Sequence, residues 1–221
     1  MSSPRKLFVA GATGAIGQVL VPLAAKAGIP VVAHARSKSA DRVARAEGVT
    51  VTTAGLGDPA ALTEAMKGCT TVVQLIGTMR HRFSSGDTYE ASDIGTTRQL
   101  VEAAKATGTV DHVVLLSSAF TGLGLGAYLK AKQAAEKLVR DSGLSWTVVR
   151  PNAFEDREQT NLKGLRSFTE ALGLRAWKPI KTREVAIALL APARDHAPLS
   201  TVLEGGSLWD VVEKNAASFP A

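Results

Sequence analysis

The chain has 221 residues, of which 45% are hydrophobic and 5% aromatic, with one cysteine and a formal net charge of +6. This hydrophobic fraction excludes a disordered chain, and one cysteine excludes an intrachain disulfide. Because the basic residues are dispersed and aromatic residues are few, we expect no nucleic-acid partner. No long apolar segment predicts a signal peptide or a membrane span, so we expect a cytoplasmic protein without membrane contact. We expect Cys69 to be a core or boundary residue, with a redox or nucleophilic role as the alternative.

The first predicted element leads directly into a glycine-rich turn. Residues 7–17 read LFVAGATGAIG, and a helix-compatible stretch follows. This order is typical of a dinucleotide-binding unit: Gly11 permits a sharp turn, Gly14 lets the backbone approach a pyrophosphate, and Gly17 lets the helix lie close to the strand. Backbone N–H groups at the helix N-terminus then bind the phosphates. A glycine-rich turn without a ligand is the alternative. The predicted cradle consists of Gly11, Thr13, Gly14, Ala15, Ile16 and Gly17.

Strand-like and helix-like stretches alternate from there onward, which is typical of a parallel sheet with helices on both faces. We therefore predict an α/β fold, a Rossmann-type doubly wound parallel sheet, in a single domain covering residues 1–221. Residues 152–221 are less regular, and we expect them to form a small C-terminal lobe over the carboxyl ends of the strands that contributes the substrate pocket. Strands are predicted at 6–10, 30–35, 49–53, 70–76, 112–116, 146–150 and 201–203. Helices are predicted at 18–27, 40–47, 58–67, 87–107, 127–141, 182–190 and 207–214.

The end of the second predicted strand indicates which dinucleotide binds. A cofactor without a ribose phosphate needs an acidic residue there, and this strand has none. Instead it is followed by Arg36, Ser37 and Lys38. An arginine fork pairs with a phosphate, and the hydroxyl and the lysine add a donor and a charge. We therefore predict NADP (NADPH) as the cofactor, and ordinary solvated loop residues are the alternative.

Further residues are predicted at the carboxyl ends of the next units. Asp58 either accepts a hydrogen bond from the adenine amino group or caps the following helix, and both roles are compatible. Leu75 and Gly77 end the fourth strand, where a glycine lets the cofactor ribose approach the backbone. The next loop carries Arg80, His81 and Arg82, either for an anionic group or as a solvated loop. No ligand-spaced cluster predicts a metal site.

A family resemblance becomes visible at the fifth strand and the helix after it. Leu115-Leu116-Ser117-Ser118 ends the strand, and Tyr128 and Lys132 are four residues apart, on one helix face. Together with the glycine turn, these residues resemble the short-chain dehydrogenase/reductase superfamily. The Asp93-Ile94-Gly95-Thr96 segment and the strand leading to Pro151 look like its atypical, NAD(P)H-binding, NmrA-like branch. The resemblance covers nearly the whole chain.

This resemblance implies a reductive site. Tyr128 would deliver a proton to the developing alkoxide, and the ammonium of Lys132 would favour the phenolate and bond the nicotinamide ribose. Ser118 would orient the substrate oxygen, with Ser117 holding the backbone turn. A helix-surface pair is the alternative for Tyr128 and Lys132. The segment that meets the nicotinamide would include Pro151, Ala153 and Phe154.

Two features depart from the family pattern. Only nine residues separate Ser118 from Tyr128, and Ser92 stands where the family has an asparagine in a proton relay. We predict an NADPH-dependent oxidoreductase that transfers a hydride to a small carbonyl, quinone or similar acceptor, as a monomer or homodimer. A non-catalytic NADP(H)-binding redox sensor or regulatory protein is the alternative. A third and weaker alternative is an assembly factor in which the cofactor has only a structural role.

Overall fold

The computed structural model describes residues 5–77, 88–156 and 165–220. Within these residues, seven parallel strands form one sheet in the order β3-β2-β1-β4-β5-β6-β7. The strand order reverses beside β1, and open α/β sheets bind ligands at the carboxyl ends of the strands at such a point. The strands are β1 Leu7–Ala10, β2 Val31–His34, β3 Val49–Thr52, β4 Thr71–Gln74, β5 His112–Leu116, β6 Ser145–Arg150 and β7 Thr201–Glu204.

Helices cover both faces of this sheet. They are α1 Gly17–Lys26, α2 Pro59–Ala65, α3 Thr96–Thr107, α4 Gly126–Arg140, α5 Leu165–Ala171, α6 Thr182–Asp195 and α7 Gly206–Asn215. Leu7 and Val9 of β1 pack in a cluster with α1, α6 and α7, whereas Phe8 and Ala10 pack with α2, α3 and α4. Both sets are buried because successive strand residues point to opposite faces.

The predicted Rossmann-type sheet is confirmed, and one predicted helix is wrong. Residues 40–47 do not form an α-helix; the chain makes a 3₁₀ turn over Ser37–Arg42 and then extends at Val43. The turn tightens because the Ser39 backbone N–H and its hydroxyl both donate to the Arg36 carbonyl. Val43 then places its side chain in the core beneath the sheet. Before α3, residues Glu90–Gly95 form a π-helical stretch rather than regular α-helix.

The C-terminal segment contributes more to the sheet than predicted. Residues Thr182–Asp195 form a core helix, because every residue from Val185 to Ala193 is buried and the helix packs against α1, β4 and β5. β7 pairs with β6, and α7 packs beside α6. These three elements, α6, β7 and α7, therefore belong to the sheet and its core, and the substrate pocket expected from residues 152–221 stays a prediction.

Candidate active site

The glycine turn after β1 has the close packing that the sequence predicts. Gly11 has a φ of +90°, and the Gly14 N–H donates to the Gly11 carbonyl at 3.0 Å. A Cβ on Gly17 would lie 2.4 Å from that carbonyl oxygen, so only glycine fits where α1 begins. The first turn of α1 carries no acidic side chain that would repel an anion. Gly14 and Ala15 are exposed, Thr13 is half-buried, and Ile16 is buried.

The turn is fixed against the end of β4. A Cβ on Gly11 would lie 3.2 Å from the backbone nitrogen of Ile76, and the Leu75 N–H donates to the Ala10 carbonyl at 3.0 Å. The amide of Gln74 holds Ile76 by accepting from its N–H at 3.0 Å and donating to its carbonyl at 3.3 Å. The glycine turn and the residues after β4 therefore form one rigid unit.

A buried ion pair lies immediately beyond this unit. The Lys132 ammonium lies 2.8 Å from Asp93 Oδ1 and donates to the Leu116 carbonyl at 3.5 Å. Lys132 is 7% exposed and Asp93 1%. A Cβ on Gly77 would lie 2.8 Å from the lysine nitrogen, so Gly77 packs against the pair. Burial excludes the surface-pair alternative for Lys132, and the ribose contact expected at Gly77 stays a prediction.

Tyr128 lies one turn before Lys132 on the same face of α4. The lysine nitrogen is 5.8 Å from the centroid of the Tyr128 ring, and the ring of Tyr89 packs against Tyr128 at 5.6 Å. Tyr128 is half-buried, so its edge remains accessible to a ligand. The ammonium of Lys132 thus lies near the Tyr128 ring, and the expected effect of Lys132 on the Tyr128 hydroxyl stays a prediction.

The two serines after β5 have different surroundings. The Ser117 hydroxyl is buried and donates to the side chain of Glu136, at 2.6 Å from its Oε1, rather than to the backbone turn that it was expected to hold. Ser118 is half-buried, and its carbonyl accepts from the Thr121 hydroxyl at 2.6 Å. Within the described residues, no hydrogen bond engages the Ser118 hydroxyl. Ser118 is therefore the serine that a substrate can reach.

A network of buried charges surrounds Ser117. Glu136 lies four residues after Lys132 and accepts from Arg150 through both of its oxygens, at 2.8 and 2.7 Å. Arg150 also donates to Glu204 at 2.9 Å. These carboxylates, Glu136 foremost, raise the pKa of Arg150 above its usual value. Glu136 and Asp93 were not predicted as site residues, although Asp93 lies in the segment that carries the family resemblance. The four-residue step from Lys132 along α4 was the signal for Glu136.

The other predicted cofactor residues occupy the edges of this site. Arg36, Ser37 and Lys38 are exposed directly after β2, as a phosphate subsite requires. Asp58 caps α2, because its Oδ1 accepts from the Ala61 N–H at 3.0 Å. Near the end of β6, the Pro151 carbonyl accepts from Ala119, the Ala153 carbonyl accepts from Ile180, and Phe154 bridges to Ile180. Arg80, His81 and Arg82 lie outside the described residues.

The cysteine of the chain lies away from the candidate active site. Cys69 is fully buried, and burial raises the pKa of its thiol to about 11, which opposes a nucleophilic role. No cluster of three or more metal-ligating side chains is found within residues 5–77, 88–156 and 165–220. In the same part of the chain, no helix has the length and apolar character needed to cross a membrane.

Comparison with known proteins identifies the class. Residues 11–194 match the family model described as NAD(P)H-binding, and the chain belongs to that family. The resemblance to the NmrA-like branch of atypical short-chain dehydrogenases/reductases is thereby confirmed. The chain is 33% identical over 190 residues to the (4-alkanoyl-5-oxo-2,5-dihydrofuran-3-yl)methyl phosphate reductase of Streptomyces griseus, which covers 84% of this chain. The chain spans 62% of the length of that relative.

Two solved structures share the fold. An oxidoreductase from Lactococcus lactis superposes with a TM-score of 0.72 at 18% identity, covering 98% of this chain and 99% of its own. The NADPH complex of an NADPH-dependent quinone oxidoreductase from Escherichia coli has a TM-score of 0.68 at 21% identity, covering 90% of this chain and 68% of its own. Both likenesses concern the fold.

Proposed function

We propose that this protein is an NADPH-dependent reductase of small carbonyl, quinone or similar acceptors. The observation that carries the proposal is a row of contacts at the carboxyl ends of the strands. In this row Gly11 packs against Ile76, and the next residue, Gly77, packs against Lys132. A dinucleotide on the glycine turn would extend along the end of β4 toward the Lys132 ammonium and the Tyr128 ring. The exposed Gly14 and Ala15, followed by a first turn of α1 without acidic side chains, fit a phosphate-bearing cofactor.

In this proposal the chain positions the acceptor and supplies a proton. When bound, NADPH supplies the hydride that reduces the acceptor carbon or ring. The Tyr128 hydroxyl gives its proton to the acceptor oxygen, and the accessible Ser118 hydroxyl hydrogen-bonds the same oxygen. Lys132 has three donors; it donates to the Leu116 carbonyl and forms an ion pair with Asp93, which leaves a donor for the ribose.

The relatives support the reductive chemistry. The Streptomyces protein is named as a reductase, and the Escherichia coli structure as an NADPH-dependent quinone oxidoreductase. The exposed Arg36 and Lys38 support a 2′-phosphate on the cofactor. A redox sensor would use the same cradle, and turnover is the property that separates the two functions.

The test is NADPH oxidation by the pure protein with a panel of aldehydes, ketones, quinones and flavins. Tyr128→Phe should lower kcat about a hundredfold or more, because general acid catalysis contributes at least that factor, and leave the Kd for NADPH unchanged. Tyr89→Phe is the matched control, since it removes the other tyrosine hydroxyl of the ring pair. Full activity of Tyr128→Phe would exclude Tyr128 as the acid. Tight NADPH binding without turnover on any acceptor would overturn the proposal in favour of the sensor.

A further inference from the structure

A small cleft lies beside the proposed site, at the carboxyl ends of β6 and β7. Its volume is about 180 Å³. A cavity of roughly 150 Å³ holds benzene, so the cleft has room for one six-membered ring with a small substituent. The residues that line it are Phe120, Asn152, Ala176, Trp177, Glu204 and Gly205.

Two exposed aromatic rings contact each other in the lining of this cleft. Phe120 is 46% exposed and Trp177 60%, and their ring centroids lie 5.7 Å apart with a 37° angle between the planes. Large aromatic side chains grouped in solvent mark a binding surface more often than isolated ones do. Aromatic rings bind a further planar ring through offset or edge contacts at such separations.

Both rings are held in place by polar contacts. Phe120 adopts a left-handed backbone conformation with a φ of 64°, which is strained for a bulky residue. Its N–H donates to Glu204 Oε1 at 3.2 Å, and Arg150 fixes the other oxygen of Glu204. The cleft therefore does not need to form upon binding.

Trp177 is anchored through its neighbours. Arg175, two residues earlier, donates to Asp210 at 2.7 Å and to Glu213 at 2.8 Å on α7. The ammonium of Lys178 lies 4.0 Å from the centroid of the Trp209 ring. The side chains of Arg175 and Lys178 are thus directed toward α7, and the Trp177 indole lines the cleft.

The charges around the cleft select an uncharged ligand. The lining contains one carboxylate, Glu204, which pairs with Arg150. The amide nitrogen of Asn152 donates to the Ala176 carbonyl. Lysine and arginine are absent from the lining that the described residues provide. An anionic ligand would therefore lose hydration in the cleft without gaining a cation to pair with.

The cleft also lies within reach of the proposed chemistry. Phe120 follows Ser118 by two residues, so their Cα atoms are at most about 7 Å apart. We infer that this cleft binds a planar, uncharged ring of the acceptor substrate against the Phe120–Trp177 pair, while Ser118 contacts its oxygen. The assignment of this ring to the substrate rests on the proposed function. The binding of a planar ring in the cleft is independent of that function.

Direct binding tests the inference without turnover. The chain has three tryptophans, so the indole N–H signals in an NMR spectrum report separately on Trp177, on half-buried Trp146 and on buried Trp209. Acetophenone, titrated in the presence of NADP, should shift the Trp177 signal saturably and leave the other two unchanged. Cyclohexyl methyl ketone, which is similar in size but not planar, and benzoate, which is anionic, should each bind about tenfold more weakly.

Two variants make the result specific. Phe120→Asn removes the ring but tolerates the left-handed backbone, and it should weaken acetophenone binding about tenfold. Leu125→Ala is the matched control, because Leu125 is 70% exposed in the same loop and lies outside the cleft lining; it should bind normally.

Three results would overturn the inference: no shift of the Trp177 signal, equal affinity in Phe120→Asn, or a shift that follows protein concentration alone, which would indicate a second copy of the chain on this face. Acetophenone binding at Trp177 without NADPH oxidation on any acceptor would instead reject the proposed function and leave the ring site standing.

Discussion

Lys132 Nζ and Asp93 Oδ1 are 2.8 Å apart, and both side chains are buried between α4 and the segment before α3. A buried pair of this kind is expensive to break, because removing one partner leaves an uncompensated charge in a place that water does not reach. The pair also directs the ammonium toward the ends of β4 and β5, where the proposed chemistry occurs.

Asp93→Asn should therefore lower the free energy of unfolding by about 3 kcal/mol, measured by urea denaturation at neutral pH. Asp141→Asn is the matched control, since Asp141 pairs with Lys137 on the exposed surface of the protein. The control should cost less than about 0.5 kcal/mol. Equal losses in the two variants would mean that the Lys132–Asp93 pair has no special energetic role.

The parts of this site that were predictable are those determined by local sequence. The glycine turn follows from spacing, since Gly11 and Gly17 contact each other within a few residues. Asp58 was predicted as a cap because a cap bonds to a residue three positions later. By contrast, Asp93 lies 39 residues from Lys132, and such a pairing depends on how α4 packs against the sheet.

Long-range contacts also determine the other features that were not predicted. The ring pair of Phe120 and Trp177 spans 57 residues, and its exposure is fixed by contacts to β7 and α7. The predicted helix at 40–47 failed because Val43 joins the core in an extended conformation. Such tertiary contacts override local propensity.

Gly17→Ala tests the closeness of the turn to α1. Its Cβ would lie 2.4 Å from the Gly11 carbonyl oxygen, so the turn must open. We expect about 2 kcal/mol of destabilisation, and we expect NADPH binding by isothermal calorimetry to weaken at least about tenfold. Gly57→Ala is the control, because a Cβ on Gly57 would meet no atom within 4 Å and the stability should be unchanged. Retained affinity in Gly17→Ala would exclude the turn as the phosphate site.

Arg36→Ala tests the proposed cofactor preference. Removing the guanidinium should weaken NADPH binding about tenfold and leave NADH binding unchanged, because only NADPH carries the ribose phosphate. Lys26→Ala is the control of equal charge, since Lys26 lies at the far end of α1 from the glycine turn. The measurement is the Kd of each variant for both dinucleotides. An equal loss for NADPH and NADH would contradict a phosphate contact at Arg36.

His112 should make the stability of the protein fall in acid. It is fully buried at the start of β5, and burial foremost lowers its pKa from 6.5 to about 3. The charges of His196 and Arg5 lower the pKa further, and Asp111 partly opposes them. The Thr147 hydroxyl donates to the Pro198 carbonyl, so His112 Nε2 is the donor in its 3.0 Å bond to Thr147.

The difference in proton binding between the folded and unfolded states determines the direction of this pH effect. Between about pH 6.5 and pH 3 the unfolded chain binds a proton at His112 that the folded protein does not bind, so stability decreases as the pH falls through this range. At about pH 5 the loss from this one group is about 2 kcal/mol relative to about pH 8. Burial also lowers the pKa of His34, which adds a loss in the same direction.

Comparison with His112→Gln isolates the contribution of His112, because glutamine keeps an N–H for Thr147 and does not titrate. Urea denaturation of both proteins at about pH 8 and about pH 5 should show a smaller pH-dependent loss in the variant, by about 2 kcal/mol. Carboxylates that protonate in acid affect both proteins equally and cancel in this difference. An identical loss in the two proteins would mean that the folded protein takes up a proton at His112 as readily as the unfolded chain does.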